Sequence, residues 1–120
     1  MLAVLVESWH ALSLTVLIDA RNVLRSRWPN VPEDDLVARI EAWAEAEDVT
    51  PEIVFDGPAP GGGIGTGSES ADDWIARRSA ELDSPYWLVT SDRELRERAG
   101  GQAERVIGGG AFLGLLYGDG

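Results

Sequence analysis

The stretch Leu14-Thr-Val-Leu-Ile-Asp19 decides the fold, because a short, mostly apolar run rich in aliphatic side chains ends directly on an acid. Such a run is typical of a strand that is buried on both faces of a parallel sheet. An aspartate at the end of a buried strand costs free energy unless a partner stabilises its charge. The stretch therefore predicts a parallel α/β sheet with a polar site at the carboxyl end of this strand.

Three similar strands follow along the chain, and helical patterns separate them. The predicted strands span 14–19, 52–56, 86–90 and 104–107, and the predicted helices span 22–28, 33–46, 70–82, 92–99 and 111–116. Gly and Pro residues interrupt these segments, in particular from Gly57 to Ser70 and from Gly108 to Gly110. Strands that alternate with helices predict a right-handed parallel α/β sheet.

The 120 residues, of which 44% are hydrophobic, are enough for one compact domain with an apolar core. We place that domain at 14–117 and interpret 1–13 as an N-terminal extension or an added strand. The extension predicts neither a signal peptide nor a membrane span, because Glu7 and His10 interrupt its apolar run. The lack of cysteine excludes disulfides, thiolate zinc sites and cysteine nucleophiles, and it fits a cytoplasmic protein.

Four aspartates lie where the predicted strands end or where the following helix begins. Asp19, Asp56 and Asp92 end or closely follow strands, and Asp72 is near the start of the helix after the second strand. The carboxyl ends of parallel strands share one edge, where open α/β sheets bind ligands. Four converging carboxylates repel one another unless a cation neutralises them, and Mg²⁺ or Mn²⁺ suits such oxygen ligands. Two such ions can activate water and stabilise the leaving oxygen in phosphodiester cleavage.

Each acid also has a simpler structural explanation. Asp92 is a candidate helix cap, Asp56 a candidate turn residue, and Asp72 suits the first turn of a helix dipole. Asp19 is the hardest to explain without a partner for its charge. The pattern Gly-Ile-Gly-Thr-Gly within 61–67 lacks the six-residue dinucleotide fingerprint, so we interpret it as a flexible connector.

The formal net charge of −11 argues against a nucleic-acid ligand, since such binders are usually basic. Eight of the ten basic residues nevertheless follow the candidate site aspartates, namely Arg21, Arg25, Arg27, Arg77, Arg78, Arg93, Arg96 and Arg98. Several of these arginines are equally candidates for ion pairs with nearby glutamates. Trp28, which follows two of them, is an alternative candidate for contacts with a nucleic-acid strand.

Four motifs resemble the NYN-type branch of the PIN-like nucleases. They are Val16-Leu-Ile-Asp-Ala-Arg-Asn-Val23, Ile53-Val-Phe-Asp-Gly57, Glu69-Ser-Ala-Asp-Asp-Trp-Ile75 and Leu88-Val-Thr-Ser-Asp-Arg-Glu-Leu95, in the family's order. The resemblance implies a three-layer, Rossmann-like α/β/α fold with a mostly parallel sheet of about four to five strands. It also implies a ribonuclease that depends on Mg²⁺ or Mn²⁺.

By motif position, the resemblance implies four catalytic and metal-binding acids, which are Asp19, Asp56, Asp72 and Asp92. Asp72 matches the family's motif better than Asp73 does. The candidate substrate-binding residues are Arg21, Asn22, Arg25, Thr90, Ser91 and Arg93. Ala20 and Arg21 stand where the family often has a glycine and an aromatic residue, and the 61–67 loop replaces an additional strand segment.

The leading hypothesis is an endoribonuclease that hydrolyses RNA phosphodiester bonds at a carboxylate-bound metal. The alternative is a catalytically inert PIN-like module that binds RNA or a protein, which the high acidity favours. A phosphatase with Asp19 as nucleophile is a weaker hypothesis, because such enzymes usually have a second aspartate where this chain has Arg21. The resemblance leaves open a homodimer and a cognate inhibitor protein, and no membrane partner is predicted.

Overall fold

The first predicted strand, β1 (Leu14–Asp19), is the central strand of a five-stranded sheet in the computed structural model, which describes residues 14–118. The other strands are β2 (Val49–Phe55), β3 (Ile64–Gly65), β4 (Tyr86–Val89) and β5 (Arg105–Ile107), and the helices are α1 (Ala20–Arg25), α2 (Glu33–Glu47), α3 (Ala71–Glu81), α4 (Arg93–Ala99) and α5 (Gly109–Tyr117). The strand order is β3-β2-β1-β4-β5, and every pair is parallel. The predicted α/β fold with a parallel sheet is confirmed.

Two apolar cores, one on each face of the sheet, give the fold its three layers. Side chains alternate between the two faces of a strand, so Val16 and Ile18 belong to one core and Leu17 to the other. Helices α1, α2 and α5 cover the first core, and α3 and α4 cover the second. These three side chains of β1 are fully buried, as the continuous apolar sequence of this strand predicts.

The chain changes direction across the sheet between β1 and β4. From β1 it moves outward through β2 to β3, and it then returns to the opposite side of β1 as β4 and continues to β5. The register pairs Ile18 with Val89 and Asp19 with Val54, so that these three strands end at nearly the same level. Open parallel sheets bind their ligands in the crevice at such a topological switch point. The fold therefore brings Asp19 close to the residues that follow β4.

The glycine-rich stretch after β2 contains the edge strand β3, so the prediction that a loop replaces a strand here is wrong. The backbone N–H of Thr66 donates to the carbonyl oxygen of Phe55 at 3.2 Å. A Cβ atom at Gly65 would lie 2.6 Å from the carbonyl oxygen of Gly57. Glycine therefore marks a close approach of two backbone segments, which composition alone does not distinguish from a mobile loop.

Two helices begin earlier than predicted. Helix α1 starts directly after Asp19 instead of at Asn22, and α5 starts at Gly109, within the predicted turn, instead of at Ala111. A Cβ atom at Gly109 would overlap the hydroxyl of Ser26 and contact the side chain of Asn22. Glycine at this position therefore permits close packing of α5 against α1, and it does not act as a turn residue.

Residues 1–13, interpreted above as an extension or added strand, lie outside the described residues. The elements of the structure run from Leu14 to Tyr117. Within residues 14–118, no helix has the length and apolar character needed to cross a membrane.

Candidate active site at the carboxyl edge of the sheet

Asp19 is the last residue of β1 and lies buried at the switch point, with 5% of its surface exposed. Its Oδ2 atom accepts a hydrogen bond of 3.0 Å from the hydroxyl of Thr90, which directly follows β4. Burial, reinforced by the carboxylates of Asp72 and Asp56, raises the pKa of Asp19 to about 6, although the Thr90 hydroxyl and the nearby backbone of Asn22 lower it. The charged form of Asp19 is therefore disfavoured by its surroundings.

Asp72 lies half-buried in the first turn of α3 and faces the other acids of this edge. Burial raises its pKa, the carboxylates of Asp92 and Asp56 raise it further, and Arg98 lowers it. Glu94 adds a further repulsive charge that we did not predict. Its position in the first turn of α4, two residues after Asp92, is the sequence signal that could have identified it.

The adjacent acid Asp73 has a different environment. It is exposed, and its Oδ1 atom lies 2.9 Å from Nη2 of Arg98. Its backbone N–H donates to the hydroxyl of Ser70, which caps α3 at 3.0 Å. Asp73 therefore has an arginine as its countercharge, whereas Asp72 is surrounded mainly by other acids.

Asp56 and Asp92 each cap a helix while lying at the same edge. The Oδ1 atom of Asp56 accepts from the N–H of Ala71 at the start of α3 at 2.8 Å, and its Oδ2 lies 3.8 Å from Nε of Arg21. The Oδ1 atom of Asp92 accepts from the N–H of Leu95 at 3.1 Å and caps α4. The helix-cap alternative for Asp92 is therefore observed. In both acids the second carboxylate oxygen takes no part in the capping bond.

Three residues that we predicted to bind substrate form a frame around the edge. The Oδ1 atom of Asn22 accepts from the backbone N–H of Ser91 at 2.8 Å. The Ser91 hydroxyl oxygen accepts from the N–H of Gly109 at 2.8 Å. The Thr90 hydroxyl oxygen accepts from the N–H of Asp92 at 3.1 Å. These bonds join the ends of β1 and β4 to the starts of α4 and α5, so the frame fixes the position of the site acids.

The arginines that follow the site aspartates in sequence differ in whether they form ion pairs. In the described part of the chain, Arg21, Arg77, Arg78 and Arg98 form ion pairs with Asp56, Glu69, Glu52 and Asp73 in that order. Arg96 donates from Nε to the carbonyl oxygen of Thr90 at 3.0 Å and supports the frame, a role that its sequence position did not reveal. Arg25 and Arg93 are exposed and form no ion pair within residues 14–118. They are therefore the arginines best placed to contact a phosphate.

The acids have the chemistry of a hard-cation site without forming a preassembled ligand cluster. Among residues 14–118, no three carboxylate or histidine side chains are grouped so that they could hold one metal ion. Mg²⁺, however, usually binds through one or two carboxylates and keeps several of its waters. The carboxylate of Asp72 raises the pKa of Asp19, a repulsion that a cation would relieve. The donor set therefore fits a partly hydrated Mg²⁺ or Mn²⁺.

Comparison with known proteins supports the fold. No protein-family model matches the chain, and no curated protein matches its sequence. The crystal structure of a single-residue variant of Rae1 (YacP) from Bacillus subtilis is similar to this chain with a TM-score of 0.71. The match covers 86% of this chain and 74% of that chain, at 19% sequence identity. The similarity establishes a shared α/β/α fold.

Proposed function

We propose that this chain is an endoribonuclease that depends on Mg²⁺ or Mn²⁺ bound at the carboxyl edge of the sheet. The observation that carries the proposal is Asp19, which lies buried at the switch point with its pKa raised to about 6. Strongly perturbed carboxylates in a crevice are typical of functional sites. The resemblance of four sequence motifs to NYN nucleases supplies the substrate class, which is RNA.

We assign the roles of the four acids in catalysis from their burial, their charged neighbours and their hydrogen bonds. A bound Mg²⁺ or Mn²⁺ would supply Lewis-acid stabilisation of the charge that develops on the scissile phosphate. Asp19 and Asp72 would hold the ion, and the Thr90 hydroxyl orients the Asp19 carboxylate in advance. Asp56 and Asp92 would position the attacking water through the carboxylate oxygens that do not cap helices.

Two exposed arginines complete the proposed site. Arg25 ends α1 and Arg93 begins α4, so both lie on helices that start at a site acid. Their charges are available to RNA phosphates, because neither forms an ion pair within the described residues. Each phosphate contact would add affinity that decreases as the salt concentration rises.

Cleavage of a labelled single-stranded RNA by the purified protein tests the proposal. With Mg²⁺ or Mn²⁺ we expect cleavage, and with EDTA we expect none. The variants Asp19→Asn and Asp72→Asn should each lower the cleavage rate by about 100-fold or more, since removal of one preorganised electrostatic group typically costs this much. The measurement is the initial rate of product formation on a denaturing gel.

Asp73→Asn is the matched control, because it removes the neighbouring acid that an arginine already neutralises. We expect this variant to keep the wild-type rate within about threefold, as exposed ion pairs contribute little. Equal rates for the wild type and Asp19→Asn, or equal rates with and without EDTA, would contradict the proposed mechanism.

A second candidate function is the inert PIN-like module that binds RNA or a protein. The observation in its favour is that Asp56 and Asp92 already have structural roles as helix caps. This candidate predicts RNA or protein binding without cleavage under any metal condition. The cleavage experiment, combined with an RNA-binding measurement, distinguishes it from the nuclease.

A further inference from the structure

Trp28 is the most exposed large hydrophobic side chain in residues 14–118. It is 85% exposed, whereas the next, Leu115, is 54% exposed. An indole ring is a large apolar group, and leaving it in water forgoes the free energy that its burial would provide. The position of Trp28 therefore calls for an explanation beyond packing.

The turn that carries Trp28 is held on both sides. With its amide oriented to satisfy its neighbours, Asn30 donates to the carbonyl oxygens of Leu24 and Arg27, each at 2.9 Å. The guanidinium of Arg27 donates to the carbonyl oxygen of Gly118 at 3.2 Å. These bonds fix the backbone on either side of Trp28, so the exposed ring is presented from an anchored turn.

The same turn lies beside the candidate active site. Ser26 follows α1 and packs against Gly109, whose N–H bonds to Ser91 at the end of β4. Only Arg27 lies between Ser26 and Trp28, so their Cα atoms are at most about 7.6 Å apart. Trp28 therefore lies close to the contact between α1 and α5, which borders the site through Gly109 and Ser91.

The segment 20–30 is positively charged, whereas the chain as a whole is negatively charged. It contains three arginines and no acid, although the formal net charge of the protein is −11. A negatively charged strand therefore meets less repulsion along this segment than the net charge of the chain implies. The combination of an exposed aromatic ring with flanking arginines favours a nucleic-acid strand over an apolar protein partner.

We infer that Trp28 stacks on an unpaired base of the RNA substrate and so makes this site selective for single-stranded RNA. Bases in a duplex are stacked on each other and do not offer a free face, whereas single-stranded bases stack on aromatic side chains. Arg25, in the last turn of α1, contacts the adjoining backbone phosphate. The inference rests on the proposed ribonuclease function for its substrate class.

Binding of a fluorescein-labelled RNA oligonucleotide of mixed sequence, alone or annealed to its complement, tests the inference. Fluorescence anisotropy in EDTA measures affinity without cleavage. We expect Trp28→Ala to weaken binding of the single strand by about tenfold or more, which is the usual effect of losing one stacked base. Trp28→Phe should retain most of the affinity because it keeps an aromatic ring. Binding of the duplex should be weaker and unchanged by either substitution.

Leu115→Ala is the matched control, since Leu115 is the other exposed large apolar side chain and lies in α5. This variant should bind both RNAs as the wild type does. Equal single-strand affinity for wild type and Trp28→Ala, an equal loss for single strand and duplex, or no RNA binding by the wild type would each overturn the inference. Binding that depends on Trp28 without any cleavage in Mg²⁺ would support the inference and contradict the nuclease proposal.

Discussion

A half-buried carboxylate and a buried one, on neighbouring strands, lie in opposite electrostatic environments. Glu52 of β2 has 15% of its side chain exposed and accepts from Nε and Nη2 of Arg78 at 2.9 and 2.8 Å. Asp19 of β1 has 5% of its surface exposed and accepts from the neutral hydroxyl of Thr90 at 3.0 Å. Arg21 lies two residues from Asp19 but forms its ion pair with Asp56. Glu52 therefore has an arginine as its countercharge, whereas Asp19 has none among the described residues.

We interpret this difference as one between a structural carboxylate and a carboxylate of the proposed active site. A bidentate pair such as that of Glu52 contributes to stability through its own hydrogen bonds. A buried acid that lacks a countercharge is destabilising when charged, and the proposed cation would stabilise it. Neutralising the two acids should therefore change the stability of the fold in opposite directions.

Asp19→Asn is expected to give the largest change in stability. The substitution removes a charge that burial and neighbouring acids disfavour, so the free energy of unfolding at neutral pH should rise by about 2 kcal/mol. Urea denaturation in EDTA measures this change, and the same variant should lose activity. A decrease in the free energy of unfolding would show that Asp19 is stabilised within the chain after all.

The titration of Asp19 can be isolated by comparing how the free energy of unfolding depends on pH in the wild type and in Asp19→Asn. Its pKa in the folded protein is about 6, above the ordinary value of 3.8, so the native state binds a proton more tightly than the unfolded chain does. The free energy of unfolding of the wild type should therefore fall, relative to Asp19→Asn, as the pH rises from about 4 to about 6. Parallel pH profiles for the two proteins would contradict the raised pKa.

Glu52→Gln should have an intermediate effect of opposite sign. The substitution leaves the half-buried guanidinium of Arg78 without its anionic partner, and the free energy of unfolding should decrease by about 1–2 kcal/mol. Urea denaturation at neutral pH checks this value, and RNA cleavage by the variant should be unchanged. An increase in stability would remove the contrast between the two acids.

The central features of the fold and site could be predicted from sequence, because they depend on local patterns. The apolar run that ends at Asp19 predicts a buried parallel strand with a polar end, and the parallel sheet confirms the first part of that prediction. Asp72 and Asp73 are adjacent in sequence, and only the ion pair of Asp73 with Arg98 shows which acid has a countercharge.

Other features depend on contacts between distant segments, which sequence patterns do not encode. The pairing of Arg78 with Glu52 joins α3 to β2 across 26 positions. Gly65 lets two backbone segments come close together, and Gly109 lets α5 pack closely against α1. In sequence, both lie in glycine-rich stretches that are typical of loops. The bond from the N–H of Ala71 to Asp56 joins positions 15 apart and required the geometry of α3.

Titration of the protein with Mn²⁺ by calorimetry tests the central claim most directly, because it asks whether a cation from outside the chain stabilises Asp19. We expect saturable Mn²⁺ binding by the wild type, a loss of about tenfold or more in affinity for Asp19→Asn, and unchanged binding by Glu52→Gln. Absence of Mn²⁺ binding by the wild type, or equal affinity in Asp19→Asn, would contradict the claim.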